Sequence, residues 1–241
     1  MNSMLLCEGS TDFALLQYFM RQVYGWEDQG KGPRFLHPSR TLEKENRSLV
    51  IGGVGGSSRL IPVFRKVAEG NKLSSSDTEY YSKIAIMTDR DEIDTEKKFL
   101  QEILDICGQN DIKVTESIES GRWISGEMFN ARKEKLPLEI LILIIPFEKT
   151  GALETFLLDS ISEKDTYDKE IIDKGNLFVE NIDREKRYLN SRRYMTKAKF
   201  DVYFSVRTPA AFFVERQNIL KGIQWDKYLD KQREFYELQK L

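Results

Sequence analysis

Asp89 and Asp91 stand two residues apart just past the apolar run 84–87, and Glu8 follows the apolar run 4–7. Residues two apart on an extended strand project to the same face, so both aspartates would offer carboxylates to one point. Hard oxygen donors of this kind suit Mg²⁺ or Mn²⁺. Glu8 also opens the string Glu8-Gly9-Ser10-Thr11-Asp12. Its glycine permits a sharp turn, and the helix N-terminus that follows would present amide donors to an anion such as phosphate. Taken alone, that string also fits an ordinary strand-to-helix turn, and an acid pair at a strand end is a common loop feature. Their coincidence at the ends of two strands raises the weight of the functional reading for both.

A second cluster has the opposite charge. Between residues 181 and 199 lie Arg184, Lys186, Arg187, Arg192, Arg193, Lys197 and Lys199 against Asp183 and Glu185. With Tyr188 and Tyr194 interleaved, this segment could track a phosphate backbone and stack bases, with Arg184, Arg187, Arg192 and Arg193 as the expected nucleic-acid contacts. A solvated charged connector is the plainer alternative. Over the whole chain, 37 Lys and Arg against 39 Asp and Glu give a net charge of −2, so any attraction to nucleic acid must be local.

Other chemistries lack raw material. His37 is the single histidine, which argues against a Cys/His zinc site and a His-centred nucleophilic triad. The glycine turn at 52–56, followed by Ser57 and Ser58, lacks the Gly-Lys-Ser/Thr ending of a P-loop. Cys7 and Cys107 fall in apolar runs and read as small buried hydrophobes, which favours a reducing compartment. The first apolar run is cut short by Glu8, and the run 140–145 is far shorter than a membrane span, so no membrane and a cytoplasmic location are expected.

The elements that must carry these residues alternate. Runs 4–7, 49–51 and 84–87 read as buried strands, each with a helix behind it: from Ser10 or Thr11 through Val23, from Ser57 or Ser58 to about Ala68, and from about Thr95 to Cys107. Further strands are expected near 112–114 and 138–145, a helix at 151–161, and a last helix from about Pro209 to Leu241 with a break at Gly222. The stretch 25–47 lacks clear periodicity and reads as a long loop or flap. Alternation of this kind predicts an α/β fold with a doubly wound, mainly parallel sheet. Open sheets of that class bind ligands at the carboxyl ends of their strands, where Glu8 and Asp89 fall.

Leu5-Leu6-Cys7-Glu8-Gly9-Ser10-Thr11-Asp12 and Ile84-Ala85-Ile86-Met87-Thr88-Asp89-Arg90-Asp91 resemble, in order and placement, the two acidic motifs of the Toprim domain. That catalytic module is shared by topoisomerases, bacterial primases, ribosomal-RNA maturases and OLD-family nucleases. The resemblance covers residues 1–162, a Toprim-like catalytic domain, and leaves 163–241 as a basic and helical C-terminal extension packed on it. It implies that Glu8 is a general acid or base, or a metal ligand, and that Asp89 and Asp91 hold the cation, with Asp12 at a second metal or in support. Similarity to OLD-like nucleases further implies a metal-binding glutamate, for which Glu154 is the best match and Glu148 the runner-up. It also implies a basic catalytic residue, matched by Lys197 or Lys199. Glu154 could equally lie on the solvated face of an amphipathic helix.

The function expected from the resemblance is metal-dependent cleavage of DNA or RNA in defence against phage or mobile DNA, with an ATPase partner protein or a homo-oligomer as candidate assemblies. The alternative is a non-catalytic Toprim fold that binds nucleic acid or protein. A topoisomerase is disfavoured because no DNA-gate domain is evident, and a primase because no zinc-binding domain is visible.

Overall fold

The structure, a computed structural model, describes residues 1–76, 79–209 and 216–241. Its centre is β1 (Asn2–Cys7), whose Met4, Leu5, Leu6 and Cys7 are all buried. A strand apolar on both faces must be covered on both. Leu5 and Cys7 face one core with Ile51, Ala85 and Leu141, whereas Met4 and Leu6 face the other with Val50, Ile84 and Ile142. Helices α2 (Leu60–Leu73) and α3 (Thr95–Gln109) cover the second face through Phe64, Phe99 and Ile103. On the first face lie α1 (Ser10–Tyr18), α4 (Leu153–Lys164) and the C-terminal elements, which contribute Leu15, Phe156, Phe200, Trp225 and Phe235. Residues beyond 162 therefore share a core with the sheet.

Four neighbouring strands, β4 (Arg47–Gly53), β1, β5 (Tyr81–Asp89) and β8 (Lys135–Ile145), run parallel, with Leu5 opposite both Ile51 and Ala85, and Ile86 opposite Ile142. The sheet does not stop there. Its full order is β2-β3-β4-β1-β5-β8-β7-β6, with β2 (Glu27–Lys31), β3 (Ser39–Lys44), β6 (Lys113–Val114) and β7 (Trp123–Phe129) all joined antiparallel. Three parallel pairings against four antiparallel ones make it a mixed sheet, which overturns the expected doubly wound, mainly parallel architecture. Strand-then-helix alternation reveals only strands that need a crossover. The wings are built largely from hairpins, which need none.

The stretch 25–47 is accordingly no simple flap, since it holds β2 and β3. Their sequence hid them: β2 is polar and almost wholly exposed, and β3 buries only Leu42. Beyond residue 164 two long helices pack on one another, α5 (Thr166–Ile182) and α6 (Arg192–Arg207). The expected final helix is instead a chain of short pieces, α7 (Arg216–Lys221), α8 (Trp225–Tyr228) and α9 (Arg233–Tyr236), with a turn at Gly222 as expected. The part of that expectation at 210–215 lies outside the described residues. Among the described residues no helix is long and apolar enough to cross a membrane.

Candidate functional site

Glu8 is the first residue past β1, and both neighbouring strands hold it. Its carboxylate oxygen Oε1 accepts the Thr88 hydroxyl at 2.6 Å and the Asp89 N–H at 2.9 Å, at the end of β5. Its backbone carbonyl accepts the N–H groups of Gly55 and Gly56, both at 2.9 Å, from the turn after β4. Gly55 and Gly56 have φ of 85° and 124°, which side-chain-bearing residues rarely adopt, so glycine is required for that double clamp.

Asp89 closes β5, and its Oδ1 accepts the N–H of Leu153 at 2.9 Å, at the positive end of α4. Arg90 is the staple that brings α4 there. Its guanidinium donates to the carbonyls of Pro146 and Phe147, each at 2.8 Å, and pairs with Glu96 at 2.6 Å. Its own backbone donates to Ile145 and accepts from Gly151. With the 146–151 loop fixed in this way, the first turn of α4 carries Glu154 into the same cleft as Glu8, Asp12 and Asp89. Asp12, in the first turn of α1, accepts the Gly9 N–H at 2.8 Å. Asp12 and Glu154 are only 9 % and 5 % exposed.

These carboxylates act on one another. Burial pushes the Asp12 carboxyl up to about 7, with the negative charge of Glu8 and then of Glu154 adding to it. Burial likewise raises Asp89 well above the carboxylate range, helped by Asp12, Glu8 and Glu154. Glu8 is raised by burial too, against the opposing pull of its Thr88 and Asp89 hydrogen bonds and the Arg193 charge. Acids so placed cannot all ionise without positive charge beside them.

That charge stands across the cleft. The cavity, about 680 Å³, is walled by Arg192, Arg193, Thr196 and Lys197 from the first turns of α6, and by Ser57 and Ser58 after the glycine turn. Arg192 donates to the Arg90 carbonyl at 3.3 Å.

The structure thus gathers Glu8, Asp12, Asp89, Asp91, Glu154, Arg192, Arg193 and Lys197 around one cleft. Asp91 arrives by a different route from the one expected: β5 ends at Asp89, so Asp91 sits on the exposed loop beyond it and strand alternation does not govern it. Lys199 is not at the cleft; it pairs with Glu180 at 2.6 Å and lines a neighbouring groove. Arg184 is exposed on the loop between α5 and α6, and Arg187 lies over the Tyr188 ring; neither lines the cleft. Glu148 is exposed and faces a separate groove. Thr88 and Arg90, both inside the second motif, escaped attention because their roles depend on Glu8 and on the 146–151 loop, far away in sequence.

As a donor set the carboxylates fit a hard divalent cation: they are all oxygen, and a single hydrogen-bonded oxygen fixes each of Glu8, Asp12 and Asp89 while a carboxylate offers two. They do not form a closed ligand shell, for among the described residues no three His, Cys, Asp or Glu side chains stand in metal-binding geometry.

No curated protein matches the chain. Among solved structures it is similar to hypothetical protein PH0156 from Pyrococcus horikoshii OT3, at 17 % identity over 99 % of this chain and 98 % of that one, with a TM-score of 0.52, a likeness of fold alone. A glyoxalase/bleomycin resistance protein/dioxygenase family enzyme from Burkholderia phytofirmans PsJN aligns at 9 % identity over 58 % of this chain and 96 % of that one, with a TM-score of 0.21, too low to carry an argument. A family model described as "Protein of unknown function (DUF3226)" matches residues 2–235, and the chain belongs to that family.

Proposed function

We propose that the protein is a metal-dependent phosphodiesterase that cleaves DNA or RNA. The observation that carries this reading is the convergence of acids from three separate segments, Glu8 and Asp12, Asp89, and Glu154, with Asp12 and Glu154 buried and Glu8 and Asp89 half-buried, on one cleft whose far wall is cationic. The resemblance of the first two segments to the Toprim motifs supports it. In this reading Asp89, Asp91 and Glu8 hold Mg²⁺ or Mn²⁺, with Asp12 and Glu154 adjoining, and side-chain rotation draws their oxygens together. Such a cation polarises the phosphate and stabilises charge on the attacking or leaving oxygen. Glu8, held at one oxygen by Thr88 and the Asp89 amide, would offer its other oxygen either to that cation or to a proton in transfer. Arg193 and Lys197 hold the phosphate oxygens from across the cleft.

The same reading assigns the protein to the cytoplasm, which the free, buried Cys7 and Cys107 support. Defence against phage or mobile DNA beside an ATPase partner belongs to the proposal through the resemblance alone.

The test is cleavage of plasmid, linear and single-stranded DNA and of RNA in Mg²⁺ and in Mn²⁺ by the full chain and by Glu8→Gln. The variant keeps shape and hydrogen-bonding capacity, so near-native melting with activity lost by at least ~100-fold is expected. Equal rates in the two proteins would remove Glu8 from the chemistry. Nucleic-acid binding without cleavage by either protein, with candidate partners added, would favour a non-catalytic binding role.

A further inference from the structure

Beside the acidic cleft lies a second groove of about 510 Å³, and Arg192 and Thr196 line both, so the two meet around the first turns of α6. The charged lining of the groove is cationic: Lys149, Lys186, Arg192 and Lys199 against one acid, Asp159. Lys149 is tied to Asp159 at 2.8 Å and Lys199 to Glu180 at 2.6 Å. Among the described residues, Lys186 and Arg192 carry no ion pair.

The loop that presents Lys186 is held in shape although it is exposed. The Asp183 carboxylate accepts three backbone N–H groups in succession, from Arg187 at 3.0 Å and from Tyr188 and Leu189 at 2.7 Å each. Lys186 sits at φ 52°, with its own N–H on the Asp183 carbonyl. Tyr188 and Tyr194 stand exposed on either side of Ser191, the cap of α6. A shaped cationic loop with two exposed aromatic rings, one face of Tyr188 being covered by the Arg187 guanidinium, is suited to phosphates and to stacked bases at once.

The burial of the acids decides the form of the ligand. Asp12 and Glu154 are almost sealed beneath this wall. A duplex carries its phosphates on the outside of a stiff rod with a persistence length of about 50 nm, so lowering one phosphate towards such a floor costs it more than it costs a flexible strand. A single strand can bend to it while its neighbouring nucleotides follow the groove.

We propose that the groove is the path of a single-stranded nucleic acid whose scissile phosphate lies in the acidic cleft, with the next phosphate against Lys186 and Arg192 and bases stacked on Tyr188 and Tyr194. This rests on the phosphodiesterase reading and specifies its substrate. The test is fluorescence anisotropy of labelled 12-nucleotide single-stranded DNA and RNA and of a 12-base-pair DNA duplex, with the full chain in Mg²⁺, and cleavage of the same oligonucleotides in parallel.

Single strands should bind at least about 10-fold tighter than the duplex, and Lys186→Glu with Tyr188→Ala should weaken single-strand binding by about 10-fold, the scale of one phosphate contact and one stacked base. Both side chains are exposed, so melting should not change. Duplex binding as tight as single-strand binding, or undiminished single-strand affinity in the double variant, overturns the proposal. The two readings separate cleanly. Single-strand binding lost in the double variant without cleavage by the wild type keeps the groove and removes the phosphodiesterase. Cleavage of single strands at the wild-type rate by the double variant does the reverse.

Discussion

The floor and the wall of the cleft are built on opposite principles. On the floor, Glu8, Asp12 and Asp89 are short acidic side chains at strand ends and a helix start, each fixed by a backbone N–H. On the wall, Arg193 and Lys197 are long side chains projecting from one end of a single helix. A floor anchored to the backbone through one oxygen of each acid holds the acids in place while their other oxygens turn toward a ligand, which suits chemistry that tolerates little misplacement. The wall can follow a flexible ligand and contributes through charge rather than fixed direction.

The harshest way to break the contrast is to loosen the floor from beneath. Arg90→Leu leaves the carbonyls of Pro146 and Phe147 and the Glu96 carboxylate without their donor. A loss of about 3 kcal/mol in stability is expected on the scale of unsatisfied buried groups. Cleavage should fall by about 100-fold as Glu154 drifts, the usual cost of ~1 Å of misplacement. Arg90→Lys should recover little of either, because an ammonium cannot fork to two carbonyls. Denaturant melts and initial rates check this; a wild-type rate in Arg90→Leu would mean that the staple does not position the floor.

A subtler probe asks whether the floor is strained by its own charge. The folded-state value for Asp12 is about 7 against an ordinary 3.8, so between those two pH values the folded state holds more protons than the unfolded one. Stability must therefore fall as pH rises through that window. Asp12→Asn keeps an acceptor for the Gly9 amide and removes the charge. Its Tm should exceed that of the wild type by roughly 4 °C at pH 8, with the gap closing towards pH 4. Adding Mn²⁺ at pH 8 should raise the wild type more than the variant. A gap that is constant across pH would show that Asp12 is not held above its ordinary range.

The smallest effect belongs to the wall. Arg193→Ala should leave melting unchanged, reduce the slope of log affinity against log salt by about 1, and weaken all sequences alike, as for a single phosphate contact. An unaltered slope, measured on single-stranded DNA, would return Arg193 to solvent.

The floor was legible in the sequence because a buried strand ending in an acid announces both its element and its direction. Glu8 and Asp89 needed only the apolar runs before them. Glu154 could not be separated from a solvated helix position, because what buries it is the Arg90 staple, a contact across more than fifty residues. Lys197 and Lys199 looked equivalent, yet two residues amount to about 200° around a helix, so one faces the cleft and the other Glu180. The sheet was half legible. Its parallel centre has uninterrupted apolar runs, whereas β2 lacks an apolar face and β7 carries Gly126 between Ile124 and Met128, the two residues it buries.

The polar edges of the sheet bear on what the molecule does at high concentration. An outer strand with unpaired amides is a template on which another chain can add. At one end β2 presents exposed Glu27, Asp28 and Lys31 and shifts register between Asp28 and Gly30; at the other, β6 is only two residues long. Charge, irregularity and brevity all discourage strand addition, so neither edge offers a second copy of this chain a row of amides to extend.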